Sequence, residues 1–259
     1  MATRTTGPAE RLLQDPRWVQ LLFSSTQFAW VWLMARVYIG WHWVDAGWGK
    51  LTSPAWMQTG TALRGFWERA VAIPETGRPA IAYDWYRAFL QFMLDAGWYT
   101  WFAKLVAMGE FLVGLALLVG VFTGIAALLG AFMNWNFMLA GSASTNPVMF
   151  LLAVGVLLAW KTAGWWGGDR WLLPALGTPW QPGALFGGPR VTPERAGGAV
   201  PLHPVEEWAR VLLGFAIGVV ALGLLRGPAQ VVVLLVGAVV VASTGLGWFP
   251  LMGRRAARS

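Results

Sequence analysis

FLVGLALLVGVFTGIAALLGAFMNWNFMLAGSASTNPVMFLLAVGVLLAW, residues 111–160, runs for 50 positions without Asp, Glu, Lys, Arg or His. A membrane span needs roughly 20 residues at 1.5 Å rise to cross about 30 Å of hydrocarbon, so this stretch holds more than two. Thr123-Gly124 and Thr145-Asn146-Pro147 divide it with turn chemistry. Working outward from these breaks gives six expected spans, at 27–46, 102–121, 124–142, 147–165, 208–225 and 229–248. The whole composition agrees: of 259 residues, 57% are hydrophobic and 12% charged, a balance that places the chain in a bilayer.

Orientation follows from the basic residues. Five charged residues (Arg4, Glu10, Arg11, Asp15 and Arg17) precede the first span and no small-residue cleavage pattern follows it, so it is read as retained and not as a signal peptide. With six spans both termini share a side. Placing them in the cytoplasm assigns 11 of the 19 Lys and Arg there, the tail Arg254, Arg255 and Arg258 included, as the positive-inside rule favours. The net charge of +7 is then a topology signal and not the mark of a nucleic-acid partner. Most of the 19 Trp fall near expected span ends or in the external segment, as interfacial belts do.

The expected fold is therefore an all-α integral membrane protein. Residues 1–25 form a cytoplasmic segment and 26–175 a four-helix transmembrane bundle, with an external segment at 50–100. In that segment amphipathic helices are expected at 55–71 and 84–96, the second presenting Trp85, Phe89, Phe92 and Met93 to the bundle mouth. Of residues 161–206, 16 of 46 are Gly or Pro, which reads as a cytoplasmic linker, centred on 176–204. Residues 205–259 then form a two-helix transmembrane hairpin and basic tail.

The absence of Cys removes disulfides, thiolate catalysis, Cys-ligated zinc, iron–sulfur clusters and covalent c-type haem from this chain. Two histidines, His42 and His203, leave little for metal or haem ligation, so any redox carrier is diffusible or borne by a partner. The informative residues are ionisable groups inside expected spans, each costing at least about 2.5–3.5 kcal/mol at the helix centre unless partnered. Arg36 lies nine residues into the first span and Glu110 eight into the second, which runs the other way; Asn134 lies ten into the third. Counted so, all reach the midplane, and an Arg36–Glu110 ion pair with Asn134 beside it is expected. It is either a structural clasp or a polar site for a lipid-soluble head group, with Arg36 donating to a carbonyl and Glu110 relaying a proton.

Nearer the external surface, His42 and Asp45 share a helix face, so Asp45 could orient the imidazole, or His42 is a simple interfacial hydrogen-bonder. Arg36, Trp43 and Lys50 recur at intervals of seven, a polar stripe toward the outside, where Lys50 and Lys104 would meet an anionic substrate or snorkel to the interface. Trp135, beside Asn134, is the one Trp expected at mid-depth.

Arg36-Val-Tyr-Ile-Gly40 followed by Gly47-Trp-Gly-Lys50-Leu51, then Gly109-Glu110 with Gly114 to Gly120, then Met133-Asn134 to Gly141 and Asn146-Pro147, resemble in order the span motifs of the DoxX/DoxD family over about residues 26–175. The resemblance implies a four-helix membrane bundle, and its DoxD branch implies a subunit of a thiosulfate:quinone oxidoreductase, with quinone as a diffusible co-substrate and no covalently bound cofactor. Other members resemble membrane scaffolds for sulfurtransferase or redox partners. Arg36, Lys50, Glu110 and Asn134 match the family's polar positions. The stretch from Glu206 to Gly214, with Thr244 to Leu251, is similar to the two-span domain of YgaP type, except that Phe249 stands where that domain commonly has Cys. Gly214 and Gly218 suit close helix packing, an oligomerisation element. Three readings stay open: an oxidoreductase subunit, a non-catalytic scaffold for a partner, and a small-anion carrier.

Overall fold

The computed structural model describes residues 15–178 and 180–188, with a few further positions between 205 and 216. The expected spans at 208–225 and 229–248, the basic tail and the part of the linker at 189–204 lie outside the described residues or nearly so, as does the start of the amino-terminal segment.

The described chain is mostly helical. Short α1 (Arg17–Ser24) leads through a 3₁₀ turn, where the Ser25 hydroxyl accepts from Gln27 N, into α2 (Ala29–Leu51). Two further helices follow α3 (Pro54–Met57), namely α4 (Thr61–Val71) and α5 (Asp84–Asp95); then come α6 (Tyr99–Val119), α7 (Thr123–Leu139) and α8 (Asn146–Leu158). After α9 (Trp160–Ala163) the chain turns into α10 (Asp169–Leu176), a two-residue β-hairpin and a last 3₁₀ turn at Ala184–Phe186. Helices α2, α6, α7 and α8 pack as a ring in that order, the last returning to the first.

The ring is built small inside and large outside. Helix α7 buries Thr123, Ala126, Ala127, Gly130, Ala131 and Asn134, while Ile125, Leu128, Leu129, Phe132 and Trp135 stay exposed. Helix α6 likewise exposes Leu105, Met108, Leu112, Leu115 and Val119. A water-soluble protein hides such side chains; membrane helices pair through small residues and turn large apolar ones to lipid. Among the described residues, helix α6 alone is long and apolar enough to cross a membrane by itself; α7 and α8 are apolar but shorter.

The tightest seam joins α2 to α6. A Cβ at Gly114 would lie 2.5 Å from Val44 N and 2.7 Å from Gly40 O, and one at Gly47 would lie 2.5 Å from Phe111 N. The two backbones touch because these residues carry no side chain.

Three expectations need correcting. The fourth helix is 13 residues, about 20 Å, and stops at Ala159, where the 147–165 pattern had suggested one continuous run. Thr162, whose hydroxyl bonds both Ala159 O and Phe23 O, holds the turn that follows. The expected 55–71 helix is broken at Gly60, which takes φ 71° ahead of α4. On α5 the inward side chains are Tyr86, Leu90 and Met93, packed on Leu63, Trp67, Ile81, Ala103 and Ala140, whereas Trp85, Phe89 and Phe92 are exposed. Apolar residues on both faces of that helix made its inner side illegible from spacing alone.

Residues 164–176 form a turn and α10. The turn between α6 and α7 places Gly120 at φ 71° and Phe122 at φ 50°, and Phe122 offers no side-chain cap to α7. Asp169 supplies one from the far side of the sequence, its Oδ1 accepting from Phe122 N at 2.7 Å and Oδ2 from Thr123 N at 2.8 Å. An anion at a helix amino terminus is favoured by the macrodipole.

Two predictions follow. Gly114→Val forces the α2–α6 seam apart and lowers the yield of folded protein by size-exclusion chromatography, while Gly49→Ala, with open space around it, leaves folding intact. Asp169→Ala bares the buried Thr123 N–H and the part-buried Phe122 N–H and lowers unfolding stability by about 2–3 kcal/mol, measured by chemical denaturation in detergent micelles.

Candidate functional site

The α2–α6 seam sets what each polar side chain can reach. Gly40 faces Gly114 and Gly47 faces Phe111, which puts Glu110 level with the last third of α2 and Arg36 level with the end of α6. Arg36 and Glu110 are therefore about 15 Å apart along the axis, and the expected ion pair between them does not form. Counting depth from helix starts assumed flush ends; in the structure α6 stops beside Arg36 while α2 continues below it.

Arg36 instead finishes the carboxyl end of α6. Its guanidinium, 0% exposed, donates at 3.0 Å to Leu117 O and at 3.0 Å to Trp166 O. Leu117 O is one of the four carbonyls that a helix end leaves without a partner, and a cation there also suits the macrodipole. A side chain at Gly120 would occupy the place of the guanidinium. Asp169 acts on Arg36 through space without a direct salt bridge, so cation and anion close the same α6–α7 turn from its two sides. Arg36 thus donates to two main-chain carbonyls and not to Glu110.

Glu110 has another partner. Lys50, in the last turn of α2, places Nζ 2.5 Å from Glu110 Oε2. The carboxylate end is 1% exposed and the lysine end 20%, so the pair runs from the external edge of the ring into its interior. The Lys50 ammonium also lies 5.2 Å from the centre of the Trp56 ring, a cation–π contact that helps hold the stem.

At the same level the ring interior holds polar atoms with no partner. Gly109 lies beside Met133 on α7, so Asn134 stands opposite Glu110. Asn134 is 0% exposed, and neither Oδ1 nor Nδ2 is hydrogen-bonded. The Trp43 indole N–H, close to Gly130 one turn below Asn134, is buried and unbonded too. Each such group costs about 1–3 kcal/mol relative to a bonded one. The arrangement can hold an acceptor such as a carbonyl oxygen against two donors, with a carboxylate and an ammonium beside it.

The remaining expected residues are dispersed. His42 is half-buried, edge-on to Tyr38 with ring centres 4.6 Å apart, and Asp45 is exposed with no hydrogen bond to it. Lys104 is half-buried and makes no ion pair among the described residues. Trp135 is 50% exposed on the outer face of α7 against Phe150, away from the polar interior. The stripe of Arg36, Trp43 and Lys50 does face the ring, each member packed against α6 or α7. Asp169 escaped sequence reading altogether, its only signal being a helix start at Thr123 with no capping residue in front. Among the described residues no three His, Asp or Glu side chains gather to hold a metal.

Comparison with protein families matches residues 31–143 to the DoxX model. The match begins in α2 and ends just past α7, and it contains Arg36, Lys50, Glu110 and Asn134. No curated protein and no solved structure matches the chain. The DoxX match covers less than half of the chain, and over residues 31–143 it marks a DoxX family domain.

Proposed function

We propose that the chain is the membrane-embedded, DoxD-like subunit of a sulfur-compound:quinone oxidoreductase, and that its working centre is Lys50, Glu110, Asn134 and Trp43. In this reading α2, α6, α7 and α8 cross the plasma membrane, residues 205–259 add a two-span hairpin, and both termini are cytoplasmic. The observation that carries it is the buried Lys50–Glu110 pair with two unbonded polar side chains at its level. A purely structural core gains little from such groups, since replacing a buried ion pair by apolar side chains is often neutral or stabilising.

The roles follow from the chemistry each group can do. Lys50, at the outer edge, draws an anion such as thiosulfate toward the centre. Asn134 Nδ2 and Trp43 Nε1 donate to a quinone carbonyl, and Glu110 relays protons from the outside. Joining the sulfurs of paired thiosulfates into tetrathionate releases two electrons; the quinone takes up two electrons and two protons to become the quinol. Either both substrates meet at this centre or a redox partner carries electrons between them.

The test is thiosulfate-dependent quinone reduction by the purified full chain in lipid nanodiscs. Glu110→Gln, which keeps the hydrogen bond from Lys50 but cannot titrate, is expected to slow turnover by about a hundredfold with little change in unfolding temperature. Turnover equal to wild type removes the proton role. The double variant Lys50→Met, Glu110→Leu is expected to keep most of the folded stability and none of the turnover. Activity that survives it sinks the assignment, and activity seen only after a co-purifying protein is added back identifies a scaffold instead.

A further inference from the structure

Between helices α4 and α5 and the ring helices α6 and α7 lies a cavity of about 280 Å³. Its walls are almost wholly apolar, with Phe66, Trp67, Phe102 and Phe137 among them. Tyr86 and Asn136 are the polar exceptions and are already engaged. The Tyr86 hydroxyl lies 3.1 Å from Asn136 O and 3.3 Å from its Oδ1, and Asn136 Nδ2 donates to Phe132 O at 2.8 Å. Burial pushes the Tyr86 phenol up to about 12, so it lines the cavity as a neutral group. A charged head group finds no partner here.

The two ends of the cavity differ. Its mouth is framed by Phe89, 46% exposed, and Phe132, 63% exposed, on the outward faces of α5 and α7. Since α7 turns that face to lipid, the cavity opens sideways into the membrane. Its inner wall is Val106, Met133 and Phe137. Val106 is one turn from Glu110, Met133 adjoins Asn134, and the Phe137 ring lies 6.2 Å from that of Trp43. Only this layer separates the apolar cavity from the unbonded Asn134 amide and Trp43 indole.

The geometry points to this cavity as the slot for a lipid-soluble carbonyl compound that arrives laterally from the bilayer, its flat ring between the aromatic walls and its oxygen reaching Asn134 and Trp43 past Phe137. The choice of ring over acyl chain rests on the aromatic walls. It builds on the proposed function by giving that centre an access route and a binding slot separable from its chemistry.

The experiment uses the full chain in nanodiscs with a diazirine-bearing ubiquinone analogue, photolysed and mapped by peptide mass spectrometry. Label is expected on α5 and α7 around Phe89, Phe132 and Met133, competed by unlabelled decylubiquinone and not by added fatty acid. Val106→Trp and Ala140→Trp, which fill the cavity, are expected to cut labelling by about tenfold or more, while Glu110→Gln keeps it. Label confined to α8, or undiminished in the filled variants, overturns the slot. So does competition by fatty acid, which would mark an acyl-chain site. The competition arm needs no variant and stands even where a filled variant fails to fold. Labelling in the slot without turnover upholds the slot and sinks the oxidoreductase reading; turnover unchanged in the filled variants does the reverse.

Discussion

Backbone contact between α2 and α6, allowed by Gly40, Gly47 and Gly114, governs both polar centres. With side chains at those positions the two helices would stand apart and could slide. Pressed together, they have one register, and in it Lys50 meets Glu110 near one end while Arg36 meets the last carbonyls of α6 near the other. Neither partnership is chosen by charge alone, for Arg36 and Glu110 are the more obvious pair. Packing sets the level first, and electrostatics settles what happens there.

The two centres then serve different ends. At the Arg36 end, Arg36 and Asp169, both almost fully buried, between them satisfy groups that the ends of α6 and α7 would leave bare, while Arg36 Nε and Thr123 Oγ1 stay unbonded. At the Lys50 end, donors and an acceptor on Asn134 and Trp43 are left open beside a carboxylate. Both ends keep buried polar atoms without partners, and what sets the Lys50 end apart is the buried ion pair beside them. The turn closed by Arg36 and Asp169 fixes α6 and α7 relative to each other, and with them the level at which Glu110 and Asn134 stand.

Much of this was legible in the sequence. The long uncharged run and its turns located α6, α7 and α8, and the rule that charges in hydrocarbon must have a purpose singled out Arg36, Glu110 and Asn134. Lys50 emerged from its spacing with Arg36 and Trp43. The pairing was not legible, because hydropathy gives the length of a helix and not how far its end stands from its neighbour's. Nor was the inward face of α5, where Trp85, Phe89 and Phe92 are as apolar as Tyr86, Leu90 and Met93 but point outward. Asp169 was hidden by distance, a capping residue 46 positions from the helix it caps.

That distance bears on how the protein is made. When α6 and α7 have left the ribosome, the N–H groups of Phe122 and Thr123 lack the acceptor they have in the finished fold, since Asp169 has yet to be synthesised. At about 5–20 residues per second the missing cap arrives several seconds later. Through that interval the α6–α7 hairpin exists without its closing contact. Its final geometry is set only when the chain beyond α9 folds back, so assembly of this domain is gated by its own late-emerging segment.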